Sequence, residues 1–153
     1  MLNGSKLISK NIYIRQLDEI SATEDYLLWL NDPDINKYLE VRHFPPKTIN
    51  DLKKSILKIE KDPYAIIFGI YLTNNKFIGT LKLHSINSYH NFAYIGIMIG
   101  DKQSHGKGYG LEALSLLIEY SKRLNIKYLY AGCYGSNIAS FKCFLKAGFV
   151  KVS

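Results

Sequence analysis

Along the chain the apolar positions change period, dividing it into a helical first third and a remainder where strands predominate and then alternate with helices. Ile12-Tyr13-Ile14-Arg15 alternates weakly and predicts a first strand. Ser21 with Glu24 three residues later has capping-box spacing and predicts a helix to Trp29 or Leu30, stopped by Asn31-Asp32-Pro33-Asp34. Ile35–Val41 reads as a further short helical turn. His43-Phe44-Pro45-Pro46 reads as a loop, because proline disfavours helical geometry in the residue before it. Thr48 followed by Asp51 caps a second helix, with Ile49, Leu52, Ile56 and Ile59 on one face and lysines on the other.

From Tyr64 the pattern is β-rich. Ala65–Leu72 and Lys76–His84 flank Thr73-Asn74-Asn75, a tight-turn composition, and predict a hairpin. Asn87–Asn91 is loop-like and Phe92–Ile99 is the next strand. A glycine-rich turn, Asp101 to Gly110, follows directly. It opens a helix with Leu111, Leu114, Leu117 and Ile118 on its apolar stripe, ending at Asn125. Ile126–Cys133 predicts a strand, Asn137–Ala147 a short helix stopped by Gly148, and Phe149–Lys151 the start of a last strand. The order implies an α/β or α+β fold whose latter half alternates strand and helix.

Composition narrows the class. A chain of 153 residues, 47% apolar and 22% charged, suits one domain with one core. Its longest apolar stretches, Ala65–Leu72 and Phe92–Gly100, are far short of the roughly 20 residues of a membrane span. The N-terminus lacks the apolar centre of a secretory signal, so a cytoplasmic location is expected. Cys133 and Cys143 form no CxxC pair and have no histidine at ligand spacing, so both are read as reduced and no metal is expected. A net charge of +7 favours polyanionic ligands, but the basic residues are scattered. That weighs against nucleic acid as a partner and leaves a phosphorylated cofactor.

The glycine-rich turn is the strongest chemical signal. A helix N-terminus offers unpartnered N–H groups and partial positive charge. Gly106, Gly108 and Gly110 are expected to take positive φ and let a pyrophosphate reach the main chain, with Lys107 and Lys102 adding charge. A P-loop is excluded because Gly108, not a hydroxyl residue, follows Lys107. The dinucleotide fingerprint fails too, because Gly106, Gly108 and Gly110 miss its glycine spacing and no acidic residue stands about 20 residues on.

What fits is QxxGxG, at Gln103, Gly106 and Gly108, and here the chain resembles the GNAT superfamily of N-acetyltransferases over nearly its whole length. The stretch AGCYGSNIASFKCFLKAGF, Ala131 to Phe149, is similar to that family's N-x-x-S helix and K-x-G-F ending. WLNDPDINKYLE, Trp29 to Glu40, looks like the first-helix region of its ribosomal-protein and amino-sugar acetyltransferases. The resemblance implies a central, mostly antiparallel mixed sheet flanked by helices, whose fourth and fifth strands splay to admit acetyl-CoA. It assigns the pyrophosphate to Gln103, Ser104, His105, Gly106, Lys107, Gly108, Tyr109 and Gly110. Pantetheine falls to the backbone of Ile97, Met98 and Ile99 and to Asn137 and Ser140.

The reaction implied is direct transfer to a primary amine, of a nucleotide-linked amino sugar or a protein N-terminus. The acid many relatives carry, a tyrosine, is replaced here by Phe144, which leaves Ser140 and Tyr134 as candidates. Tyr94 stands where relatives place a basic glutamate, and His84 is the alternative base. Trp29, Glu40, Arg42 and His43 lie where relatives contact the acceptor. Trp29, among leucines, also reads as packing. Two other functions stay open: a coenzyme A-binding module without activity, and a basic RNA- or ribosome-associated protein. Relatives close with a further strand that is missing here, so the chain is naturally short, is a piece of a longer one, or forms a homodimer by strand exchange.

Overall fold

The computed structural model describes residues 5–37, 39, 43–132 and 138–152. Its frame is a six-stranded sheet in the order β1-β2-β3-β4-β5-β6. The strands are β1 (Lys6–Ile8), β2 (Ile12–Gln16), β3 (Ile66–Leu72), β4 (Phe77–Asn87), β5 (Phe92–Ile99) and β6 (Tyr128–Ala131). Neighbours from β1 to β5 pair antiparallel, and β6 joins β5 in parallel. The β3–β4 hairpin turns at Asn75, which takes φ 72, a conformation asparagine tolerates better than most residues.

Helices cover both faces. On one lie α4 (Tyr109–Arg123) and α5 (Ile138–Lys146), whose Leu114, Leu117 and Phe144 pack on Ile12, Ile14, Phe68, Ile70, Leu81 and Ile95. On the other, α1 (Glu24–Asn31), the single turn α2 (Pro33–Asn36) and α3 (Ile49–Glu60) bring Tyr26, Leu30, Leu52 and Ile56 onto Leu17, Ile67 and Met98. Strand alternation explains the division: Ile95 and Ile97 face α4 while Gly96 and Met98 face the opposite way.

Several local expectations are corrected. Thr23, not Ser21, caps α1, its Oγ1 accepting the Tyr26 N–H at 3.2 Å. Ser21 closes a preceding 3-10 turn capped by Asp18. An N-terminal strand, β1, precedes the first one expected. The turn after it is tied to α4, where the Glu112 carboxylate accepts from Ser9 Oγ, Asn11 N and Asn11 Nδ2 at 2.8, 3.0 and 3.0 Å. The expected last strand, Phe149–Lys151, is not paired. Phe149 packs on Phe144 and leaves Val150 exposed, and no strand pairs with the outer edge of β6 among the described residues.

Candidate functional site

The parting of β5 from β6 is the central feature of the sheet. Their register runs Phe92↔Tyr128, Ala93↔Leu129, Tyr94↔Tyr130 and Ile95↔Ala131 and stops there, while β5 continues to Ile99. Among the described residues, 96–99 therefore pair with β4 alone, and their polar groups on the β6 side, the Ile99 carbonyl excepted because it accepts from His105, open into a cleft. These are the expected fourth and fifth strands, counted without β1. Ile97 and Ile99 turn their side chains into the α4 core and Met98 is buried under α1, so only their backbone faces the cleft.

At the end of β5 the chain makes a 3-10 turn, Lys102–Ser104, and enters α4. Gly106 and Gly108 hold φ 73 and 81, and a Cβ at either position would meet nothing within 4 Å. No side chain caps α4; Gly108 itself is the N-cap. The result is a set of unpartnered backbone donors beside empty space, backed by the positive end of a 15-residue helix. Gln103 and Lys107 are exposed at its rim. Gly110 departs from expectation: it lies inside the first turn of α4, not in the left-handed region, and a Cβ there would meet Cys143 Sγ and Ile97 Cδ1 at ordinary packing distances.

Other turn residues brace the loop rather than face a ligand. The buried Ser104 hydroxyl donates to Asp101 Oδ2 at 2.6 Å, and Lys76 pairs with the same carboxylate at 3.2 Å. His105 folds back to donate from Nε2 to the Ile99 carbonyl at 2.7 Å. Lys102, expected to add charge toward phosphate, turns to Asp32 and Asp34 at 3.2 and 3.5 Å. Trp29 packs on the turn from behind: a Cβ on Gly100 would lie 2.1 Å from its ring, and it adjoins Tyr26 and Phe77. This favours the packing reading of Trp29.

On the sheet face that α1 and α3 leave uncovered, Lys82, His84, Tyr94, Gly96 and Tyr130 lie together. His84 stacks on Tyr94 at 5.7 Å, Tyr94 meets Tyr130 at 5.4 Å, and Phe92 stands edge-on to both tyrosines. Burial and then the charge of Lys82 hold the His84 pKa below its ordinary 6.5, so the imidazole is neutral at pH 7. Its Nδ1 lies 3.1 Å from Ser85 Oγ. Lys82 pairs in register with Gly96, beside the point where β5 and β6 part. The pattern of the sequence singled out His84 and Tyr94 but not Lys82 or Tyr130, which become visible only when three strands, β4, β5 and β6, are laid side by side. Ser140 is half-buried on α5, and Phe144, where relatives carry a tyrosine, is in the core. His43 is exposed. Glu40, Arg42, Cys133, Tyr134 and Asn137 lie outside the described residues.

Known proteins carry the same plan. The chain is 31% identical to the probable N-acetyltransferase YjcK of Bacillus subtilis, over 95% of this chain and 83% of that one. Among solved structures it resembles the spermidine N-acetyltransferase of Vibrio cholerae in complex with CoA and spermine, with TM-score 0.82 and 22% identity over 93% and 82% of the two chains. It also resembles the microcin C7 self-immunity acetyltransferase MccE in complex with acetyl-CoA and AMP, with TM-score 0.81 and 26% identity over 95% and 82%. The glycine cradle and the cleft beside β5 suit the pyrophosphate and pantetheine of coenzyme A. Residues 11–150 match the family model for the acetyltransferase (GNAT) domain, and the chain therefore belongs to the GNAT acetyltransferases, with acetyl-CoA as its acyl donor.

Proposed function

We propose that the chain moves the acetyl group of acetyl-CoA directly to a primary amine, with a nucleotide-linked amino sugar as the leading acceptor ahead of a protein N-terminus. The observation that carries the reading is that the two binding segments adjoin along the chain. The unpaired stretch of β5 at residues 96–99 runs directly through the Lys102–Ser104 turn into the uncapped α4 N-terminus, and Gly96 at its start faces the side of the sheet away from α4.

Bound acetyl-CoA would supply an electrophilic thioester. The amides at the start of α4 hold its pyrophosphate, and main-chain groups of Ile97, Met98 and Ile99 orient pantetheine and polarise the thioester carbonyl. His84, neutral at pH 7, can accept a proton at Nε2 from the incoming ammonium, and Tyr94 stacks against its ring. Ser140 and Tyr134 are the candidate donors to the departing thiolate. The Vibrio cholerae enzyme holds spermine beside CoA and MccE holds AMP beside acetyl-CoA, so proteins of this fold take both a polyamine and a nucleotide together with the cofactor. Lys82 on this face has no carboxylate within salt-bridge distance among the described residues, which supports an anionic acceptor over a polyamine.

Calorimetric titration with acetyl-CoA, followed by thiol-release assays over a panel of amines, tests the reading. Micromolar binding with amine-dependent thiol release is expected. Binding without turnover of any amine would favour a coenzyme A-binding module, and no binding by the folded protein would end the proposal.

A further inference from the structure

The uncovered face combines three properties that the transfer chemistry alone does not require. First, Lys82 is half-buried, yet among the described residues its ammonium makes no hydrogen bond or salt bridge. Burial draws its pKa below the ordinary lysine value. The one carboxylate working in the opposite direction is Asp62, which lies beyond salt-bridge distance and accepts the Tyr64 N–H at 2.8 Å in the turn before β3. Second, the position directly across from Lys82 is Gly96, where a Cβ would meet no described atom within 4 Å, so a strand position without a side chain stands opposite the lysine in the register. Third, an aromatic row begins two residues along the same face. Tyr94 and Tyr130 lie 41% and 44% exposed, with Phe92 edge-on behind them.

A half-buried cation without a counter-ion is costly unless a ligand supplies one, and a row of exposed rings beside it offers π-faces. Lys82 and Tyr130 are about two strands apart, roughly 10 Å across the sheet, with side chains that can close part of that gap. A phosphate and a nucleobase on one ligand are separated on that scale.

We infer that Lys82 and the Tyr94–Tyr130 row form a nucleotide subsite for the acceptor, with Lys82 meeting a phosphate and Tyr130 the base, an inference that rests on the acetyl-transfer reading above. The subsite gives Lys82 a positioning and specificity role, and it places the acceptor amine over Gly96 at the mouth of the cleft.

The test uses the full chain saturated with desulfo-CoA, so that the α4 cradle is filled, and titrates it with UDP and with ADP. One of the two is expected to bind. Lys82→Gln should weaken it about ten- to a hundredfold, the usual range for a charge-assisted hydrogen bond, and Tyr130→Ala about tenfold. Acetyl-CoA affinity should stay within threefold in both variants, and circular dichroism should confirm their fold. In parallel, kcat/KM is compared for 2-amino and 4-amino hexoses as free sugar, 1-phosphate and UDP or ADP conjugate. The values should rise along the series, and Lys82→Gln should flatten the step from free sugar to phosphate. Failure of both nucleotides to bind the loaded parent would overturn the subsite, as would binding indifferent to Lys82→Gln. So would a parent preference for spermidine or a peptide N-terminus. Failure of acetyl-CoA itself to bind is a separate result, which would remove the acetyl-transfer reading and this subsite with it.

Discussion

Gly108→Ala separates stability from cofactor binding. Gly108 is the N-cap of α4 at φ 81, so the substituted alanine must adopt a left-handed conformation that costs roughly 1–2 kcal/mol. The new methyl meets nothing within 4 Å, and no side-chain cap is lost, so strain is the whole structural penalty. Small domains have about 5–15 kcal/mol to spare and chains of this length lose about 2–4 °C per kcal/mol, so the variant stays folded with Tm lowered by roughly 2–8 °C. Binding should suffer more. If the methyl displaces a phosphate from two backbone donors, each contributing about 1.5–3 kcal/mol, acetyl-CoA affinity falls by roughly 10²- to 10⁴-fold. Calorimetry with acetyl-CoA beside a thermal melt reads both quantities. Gly110→Ala is the control: its φ is helical and its methyl would make ordinary contacts, so Tm should hold or rise by a few degrees. A Gly108→Ala protein with the expected fall in Tm but affinity within threefold of the parent would refute the phosphate cradle.

Gly96→Val should leave the fold and the acetyl-CoA affinity intact, because its Cβ enters open space on a strand. Acceptor kcat/KM should fall at least tenfold, read by thiol release. Gly79→Ala should do the reverse. Its Cβ would lie 2.2 Å from the Met98 carbonyl oxygen, so β4 and β5 must shift, costing about 1–3 kcal/mol in a thermal or urea melt. NMR titration of His84 should give a pKa below 6.5, moving up toward 6.5 in Lys82→Gln as one of its two depressing influences is removed. Because the folded pKa is the lower one, neutral His84 favours the native state fully above pH 6.5, and that contribution is lost as pH falls through the folded value.

Much of the fold is legible because period and punctuation agree. The β3–β4 hairpin, β5, the glycine turn and α4 carry apolar stripes bounded by asparagines or glycines, and each lies within a few residues of expectation. What is missed lacks a local signal. The three residues of β1 are too few to show a period, and the strand is held by its pairing with β2, while its turn is pinned by Glu112, about a hundred residues away. The cap of α1 fails for another reason: Ser21 and Thr23 both stand before the helix with acceptable chemistry. The choice falls to Thr23 because Asp18 draws Ser21 into its own 3-10 turn.

The site divides along the same line. Phosphate binding by backbone needs glycines at fixed offsets in one loop, so Gly106 and Gly108 are visible in a single pass along the sequence, whereas Gly110 is absorbed by the helix it opens. The acceptor subsite proposed here is assembled across strands: Lys82 from β4, Gly96 from β5 and Tyr130 from β6 are scattered over nearly fifty residues and share no spacing. Lys82 in particular is invisible as a site in one dimension, since a lysine within an apolar strand reads as a solvent-facing position. Only the register, which sets it opposite a glycine at the point where two strands part, marks that lysine out. The consequence is that the donor half of this enzyme is written in the chain as a motif and the acceptor half as a register, so chains that share the first can differ freely in the second.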